Sequence, residues 1–95
     1  FCYIEDAVNI TNILAQNCKN EIVNVGQSKE SKISDVAKII LEILEIDPNK
    51  LEILPSPVGS AKRRCPDISK MKSLTNYKHQ YDLHKGLKLT VESLL

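Results

Sequence analysis

Apolar residues recur every three or four positions in four segments of the chain, the spacing that places them on one face of an α-helix. The most regular pattern begins at Ile33 and ends before Pro48, because proline removes a backbone donor that a helix needs. Ser31 can cap this helix, and Asp82 can cap the last one. The apolar positions of the two helices are Ile33, Val36, Ala37, Ile40, Leu41 and Leu44, and Leu83, Leu87, Val91 and Leu94.

The other two helical patterns also carry start or stop signals. One is predicted from about residue 4 to residue 17, and it opens with Glu5 and Asp6. Acids in a first turn are favoured by the positive end of the helix dipole. A short helix is predicted after Asp67, which can cap its first turn. Asn76 is a candidate for the left-handed residue that ends this helix.

Two short segments have the composition of β-strands. Residues 21–26 are rich in β-branched side chains and close on a glycine, and residues 51–54 alternate weakly before Pro55. The prolines and glycine between residues 55 and 66 predict a loop. The chain is therefore predicted to have an α+β fold with about four helices and two short strands.

Length and composition indicate one small globular domain over residues 1–95. The chain is 42% hydrophobic and 26% charged, which argues against wholesale disorder. No apolar run approaches the ~18 residues of a membrane-spanning helix. The sequence has neither an initiating Met nor a basic-then-apolar leader, so we interpret it as part of a longer protein.

Cysteine usage favours a reducing compartment. The three cysteines lie far apart, at positions 2, 18 and 65, and an odd, widely spaced set is not a disulfide framework. We therefore expect a cytoplasmic protein. The only histidines, His79 and His84, have no neighbouring cysteine pair, so no metal site is expected.

The net charge of +1 conceals an uneven distribution. Residues 1–59 carry five lysines and nine acids, whereas residues 60–95 carry eight basic residues and three acids. The basic side chains cluster at Lys62-Arg63-Arg64. Three interpretations stay open: a solvated surface of a structural interaction domain, a phosphate-binding site, and a small module that binds nucleic acid.

The order of several short motifs is more informative than any one of them. The motifs are Phe1-Cys2-Tyr3-Ile4-Glu5-Asp6, Val23-Asn24-Val25-Gly26, Lys32-Ile33-Ser34-Asp35-Val36-Ala37, Arg63-Arg64-Cys65-Pro66-Asp67-Ile68 and Leu83-His84-Lys85-Gly86-Leu87. In this order and spacing, the chain resembles the C-terminal third of the nucleotide-sugar epimerases and dehydratases, which are extended short-chain dehydrogenases/reductases.

The resemblance implies the substrate-binding lobe of an NAD-dependent α/β enzyme. In that family a Rossmann domain binds NAD, and the smaller lobe closes over the nucleotide of a nucleoside-diphosphate sugar such as a UDP-sugar. The glycine-rich turn that binds the cofactor pyrophosphate is absent from this sequence. We assign that turn, and the Tyr-x-x-x-Lys pair that transfers protons in the family, to a domain outside this chain. No catalytic residue is therefore expected here, and the chain alone should be inactive.

The same resemblance implies four substrate-binding residues. Arg64 or Arg63 would contact the diphosphate, since a planar guanidinium can bind two phosphate oxygens at once. Ile33 would pack against the nucleobase. Ser60 stands where many relatives have an aspartate that reaches toward the ribose. The expected partners are the Rossmann domain and, in the full enzyme, a second copy, whereas no nucleic acid or membrane partner is expected.

Overall fold

Four α-helices joined by irregular segments make up the part of the chain that this computed structural model describes, residues 1–60 and 64–95. The elements are α1 (Ile4–Asn17), α2 (Ile33–Ile43), a 3-10 turn (Pro48–Lys50), α3 (Ser69–Thr75) and α4 (Leu83–Leu94). Helix α1 packs against α3, and α2 packs against α4. None of these described helices is both long enough and apolar enough to cross a membrane.

The buried core is small and lies mainly between α1 and α3. Ile10 and Met71 are fully buried and meet Ile68 just before α3. Leu14, Val23 and Tyr77 are partly buried and pack against this cluster. Because so few apolar side chains are buried, hydrophobic burial stabilises this chain less than a compact domain of the same length.

Local signals located the helix ends correctly in most places. Helix α1 has the predicted bounds, and the Asp82 carboxylate accepts a hydrogen bond from the Lys85 amide at 2.7 Å, as expected for an N-cap. The predicted cap at Asp67 is wrong by one residue: Ile68 is the N-cap of α3 and makes no side-chain cap, whereas Asp67 accepts from the amide of Ser69 at 2.9 Å and from its hydroxyl at 2.7 Å. The predicted cap at Ser31 is wrong, because α2 begins after Lys32 with no side-chain cap.

Asn76 ends α3 in the left-handed conformation, with φ 53° and ψ 25°. A side chain with a Cβ pays about 1–2 kcal/mol in this region, and asparagine tolerates it better than alanine. We expect Asn76→Ala to lower the free energy of unfolding by about 1 kcal/mol and Asn76→Gly to leave it unchanged or slightly higher. Urea denaturation of the three proteins measures this, and equal midpoints for the alanine and glycine variants would contradict it.

The predicted α+β fold class is wrong, since no β-strand is present among residues 1–60 and 64–95. Residues 21–25 and 51–54 both lack the ladder of backbone hydrogen bonds that defines a strand. Side chains bind one carbonyl of the first segment and one of the residue after it: Lys70 Nζ donates to the Ile22 oxygen at 3.0 Å, and His79 Nε2 lies 2.7 Å from the Gly26 oxygen. β-Branched composition favours an extended chain, but a strand also requires a second one beside it.

Candidate functional site

The structure places three of the four predicted substrate-binding residues at the surface. Arg64 is exposed, and none of the described residues forms a hydrogen bond or an ion pair with its guanidinium. Ile33 is the first residue of α2 and is 71% exposed. Ser60 is exposed and closes a turn in which its amide donates to the Pro57 carbonyl at 3.2 Å. Arg63 lies outside the described residues.

Arg64 is held beside the loop that leads into α2. The thiol of the next residue, Cys65, donates to the Ser28 carbonyl at 3.1 Å. Farther along, the Asn24 side-chain amide donates to the Asp67 carbonyl at 3.4 Å. The Pro66 ring fills the space beside Gly26, where a Cβ atom would come within 3.2 Å of its Cγ. These contacts bring Arg64 to the loop before Ile33, whereas Ser60 has no contact of this kind within the described ranges.

Lys70, which follows the cluster Lys62-Arg63-Arg64 in the sequence, is paired with other groups of the chain. Lys70 forms an ion pair with Glu21 at 2.6 Å and also donates to the Ile22 carbonyl. Its charge is therefore engaged within the chain. This weakens the interpretation as a module that binds nucleic acid, because such binding depends on unpaired cations that neutralise phosphates.

A cleft of about 590 Å³ borders the same loop. The start of the chain, the loop around residues 27–31, residues 79–83 and one face of α4 form its walls. The polar groups that line it include Gln27, Lys29, Ser31, His79, Gln80 and Thr90. Gly86 allows α4 to approach the start of the chain, because a Cβ there would come within 3.2 Å of the Tyr3 ring. The cleft thus offers the Lys29 ammonium, the Asp82 carboxylate and several uncharged hydrogen-bonding groups beside Tyr3 and Tyr81.

A fully buried carboxylate supports one wall of this cleft. Asp6 in α1 accepts a hydrogen bond from the Tyr77 hydroxyl at 2.7 Å. It also accepts from the backbone amides of Gln80 at 3.1 Å and Tyr81 at 3.2 Å. The Tyr77 hydroxyl in turn lies 3.4 Å from the Asn9 side-chain amide. Asp6 therefore fixes the segment 77–81 against α1, and Gln80 and Tyr81 of that segment face the cleft.

The hydrogen bonds to Asp6 keep its carboxylate ionised. Burial alone would raise the pKa of this group, since a charge is poorly solvated in the interior. The bonds from Tyr77, Gln80 and Tyr81, together with the nearby His79, outweigh burial and lower the pKa below its usual value. Asp6 is thus a structural anion and not a proton donor at neutral pH.

Tyr81 is held in its protonated form at the edge of the cleft. Its hydroxyl donates to the Glu5 carboxylate, and this bond is the main cause that raises the pKa of Tyr81 to about 12. Its ring centroid lies 4.7 Å from that of Tyr3 and 4.7 Å from the Lys85 ammonium. Tyr81 and Lys85 have Tyr-x-x-x-Lys spacing, which we overlooked in the sequence. Because the ammonium lies over the ring and the phenol is bound to a carboxylate, this pair lacks the lowered pKa that proton abstraction requires.

Tyr81 is expected to be the tyrosine that ionises near pH 12 in an ultraviolet titration of the chain. Its pKa in the folded chain exceeds the unfolded value of about 10. The protonated phenol therefore stabilises the fold fully below about pH 10, and this contribution is lost as the pH rises toward 12. Tyr81→Phe identifies the signal, and Glu5→Gln should move it toward pH 10. A titration that Glu5→Gln leaves unchanged would contradict the assignment.

Asp6 is the main residue of this region that sequence reasoning missed. An acid in the first turn of a helix is explained by its interaction with the helix dipole, so nothing in the sequence suggested that Asp6 is buried. The available signal was its position: Asp6 lies four residues before Ile10, on the face of α1 that packs against the core. A carboxylate on that face needs hydrogen-bond donors from elsewhere in the chain.

Comparison with known proteins identifies nucleotide-sugar enzymes as homologues. A protein of Methanocaldococcus jannaschii provisionally named UDP-glucose 4-epimerase is 34% identical, and the match covers 96% of this chain and 29% of that protein. UDP-glucuronic acid decarboxylase 6 of Arabidopsis thaliana is 26% identical over 97% of this chain and 26% of its own length. UDP-N-acetyl-alpha-D-glucosaminuronate decarboxylase of Bacillus cytotoxicus is 26% identical over 97% of this chain and 30% of its own length.

The chain therefore spans less than a third of each of these relatives. Neither a profile of a known protein family nor a solved structure matches it. The homologues confirm the resemblance to enzymes of nucleotide sugars, and the chain matches only a part of each of them.

Proposed function

We propose that this chain is the substrate-binding portion of a nucleotide-sugar epimerase, dehydratase or decarboxylase, and that it binds the nucleoside diphosphate. The observation that carries the proposal is the match of nearly the whole chain to enzymes named for UDP-sugars. The geometry adds a guanidinium, that of Arg64, held beside the loop that borders the cleft. Binding of this kind orients the sugar for a reaction whose chemical groups lie in another domain.

Arg64 is the residue we favour for the diphosphate. Its exposed guanidinium is available to form two parallel hydrogen bonds with phosphate oxygens. The bond from Cys65 to Ser28 limits how far this segment can move from the loop. Arg63 is the alternative, and Lys29 on the cleft side of the loop supplies a second cation. An arginine of this pair and the Lys29 ammonium would each favour an anionic ligand.

Ile33 and Ser60 complete the proposed site less directly. Ile33 exposes most of its apolar side chain at the start of α2, so a nucleobase packed on it would cover apolar surface. Ser60 has an exposed hydroxyl that could reach a ribose only if the ligand spans from the loop to the turn at residues 57–60. Loss of the Ser60 hydroxyl should therefore matter less than loss of Arg64.

NAD does not fit the residues of this chain. Its pyrophosphate is usually bound by closely spaced glycines at a helix N-terminus, but the glycines here lie far apart at positions 26, 59 and 86. Gly26 is covered by Pro66 and Gly86 by Tyr3. We therefore place NAD, and the hydride transfer it supplies, in a Rossmann domain outside this chain. We also propose that the complete enzyme is a cytoplasmic homodimer.

Two observations test the proposal. The gene upstream of Phe1 should encode a glycine-rich turn and a Tyr-x-x-x-Lys pair, and the absence of both would exclude the enzyme. Calorimetric titration of the complete protein with uridine diphosphate, the nucleotide common to the relatives' substrates by name, should give saturable binding. Failure of the complete protein to bind this nucleotide would reject the proposed function, at least for UDP-sugars.

A further inference from the structure

His79 joins two parts of the chain that are distant in the sequence. Its Nε2 atom lies 2.7 Å from the carbonyl oxygen of Gly26, at a sequence separation of 53. Because a carbonyl oxygen only accepts hydrogen bonds, Nε2 carries the proton of this bond. Gly26 is buried, and no other residue within 1–60 and 64–95 binds its carbonyl. His79 therefore supplies the hydrogen bond that a buried carbonyl needs.

The imidazole of His79 is itself held in place. It belongs to the segment 77–81, which hydrogen bonds to the buried Asp6 carboxylate hold against α1. The rings of Tyr77 and His79 meet edge to face, with centroids 6.0 Å apart. A half-buried ring supported in this way is a fixed donor, so it binds the Gly26 carbonyl at a defined position.

Gly26 also contacts the segment that carries Arg64. The Pro66 ring fills the space beside this glycine, where a Cβ atom would come within 3.2 Å of its Cγ. Two residues farther along the loop, the Ser28 carbonyl accepts the hydrogen bond from the Cys65 thiol at 3.1 Å. The loop that the imidazole binds is therefore the loop against which the arginine segment rests.

We propose that His79 is the positioning residue for Arg64. By fixing the Gly26 carbonyl, it holds the loop of residues 26–28 where that loop supports the arginine. The inference rests on the proposed function, because it deepens the assignment of Arg64 to the diphosphate. His79 acts on affinity through the arginine and is not itself a binding residue. Preorganisation of this kind raises affinity because less conformational freedom is lost when the ligand binds.

Two substitutions of similar length separate the hydrogen bond from the bulk of the side chain. His79→Met removes the donor, whereas His79→Gln keeps an N–H group at the end of the side chain. In the complete protein, His79→Met should weaken binding of uridine diphosphate by roughly 5- to 30-fold, as expected for residues coupled through shared contacts. His79→Gln should restore most of the affinity. Calorimetric titration measures both variants, and His84→Met, at an exposed histidine of α4, should bind like the parent.

Combination with Arg64→Ala tests whether the effect passes through the arginine. In a protein that already lacks the guanidinium, His79→Met should change the dissociation constant by less than about twofold. A general structural role would instead weaken binding by the same factor with and without Arg64. If circular dichroism shows that His79→Met does not fold, His79→Phe, which keeps a ring without a donor, takes its place.

The reactivity of Cys65 reports the position of the loop without any ligand. Its thiol is half-buried and donates to the Ser28 carbonyl, so release of the loop should free it. In the complete protein, alkylation of Cys65 by N-ethylmaleimide should be at least about threefold faster in His79→Met than in the parent, because local opening exposes the thiol. Cys18 at the end of α1 is the internal control, and its rate should not change. Mass spectrometry of peptides measures both rates.

Three results would overturn the proposal. The first is equal alkylation of Cys65 in the parent and in His79→Met. The second is parental affinity for uridine diphosphate in His79→Met, or a loss that His79→Gln does not restore. The third is additivity of His79→Met and Arg64→Ala. Parental affinity in His79→Met rejects this inference and leaves the proposed function standing. Faster alkylation of Cys65 in a protein whose parent does not bind uridine diphosphate rejects the proposed function and supports the positioning of Arg64.

Discussion

Replacing Asp6 by alanine is expected to lower the free energy of unfolding of this chain by at least about 3 kcal/mol. The variant leaves the Tyr77 hydroxyl and the amides of Gln80 and Tyr81 without their acceptor. An unsatisfied buried donor costs about 1–3 kcal/mol, and these three hydrogen bonds are partly buried, so each donor takes the lower end of that range. A chain of this length is stable by about 5–14 kcal/mol, and the small core places this one toward the lower end. Urea denaturation followed by circular dichroism measures the loss.

The control for this prediction is a carboxylate at a similar helix position that is not buried. Asp35 lies in the first turn of α2 and is exposed. Asp35→Ala should lower the free energy of unfolding by less than about 1 kcal/mol, since it loses only a favourable interaction with the helix dipole. If Asp6→Ala and Asp35→Ala have equal effects, the hydrogen bonds to Asp6 do not hold the segment 77–81 in place.

The same carboxylate predicts a dependence of stability on pH. The folded-state pKa of Asp6 is lowered, so its contribution is fully present above the unfolded value of about 3.9. The contribution is lost as the pH falls from about 4 through the lower folded-state value. Asp6→Asn cannot titrate, so the difference in unfolding free energy between the parent and this variant should shrink below about pH 4. A constant difference down to acid unfolding would show that Asp6 is not the group responsible.

In the complete protein, Arg64→Ala is expected to weaken binding of uridine diphosphate by about 1.5–3 kcal/mol, which is roughly 10- to 150-fold in the dissociation constant. The reason is the loss of hydrogen bonds between a guanidinium and charged phosphate oxygens. Arg64→Lys should restore only part of the affinity, because an ammonium cannot form the same two parallel bonds. Calorimetric titration measures all three proteins without knowledge of the sugar.

Arg63→Ala is the matched control for the diphosphate prediction. We expect only one of these two neighbouring arginines to bind the phosphates. Binding of NAD should be unaffected by either change, since the cofactor lies in another domain under the proposed function. If both alanine variants bind uridine diphosphate like the parent, this segment does not bind the phosphates.

Helix positions could be predicted because their signals are local. The acids and apolar spacing of α1, the cap at Asp82 and the left-handed Asn76 each involve residues within one or two turns of one another. The wrong prediction of a helix cap at Ser31 also rested on a local signal. A serine near a helix start is a common cap, but α2 begins two residues later, where its hydroxyl does not cap the helix.

Features that depend on distant residues could not be predicted in this way. Residues 21–25 satisfy the composition of a strand, but composition does not say whether a second strand lies beside them. The role of Asp6 depends on Tyr77, Gln80 and Tyr81, which are more than seventy residues away. The position of Arg64 beside the loop likewise depends on the contact between Cys65 and Ser28, whose positions differ by 37.

The long sequence separation within the Asp6 hydrogen bonds has a consequence for folding during synthesis. Helix α1 leaves the ribosome before the other helices of this chain, but a helix of its length is marginal in water without tertiary contacts. The donors to Asp6 and the core partner of Ile10, Met71, are synthesised only much later. This chain therefore cannot fold progressively from its N-terminus while it is being synthesised. Contacts between residues so far apart in the sequence also form slowly. Until residues 77–81 have emerged, nascent α1 presents Ile10 to solvent or to a chaperone.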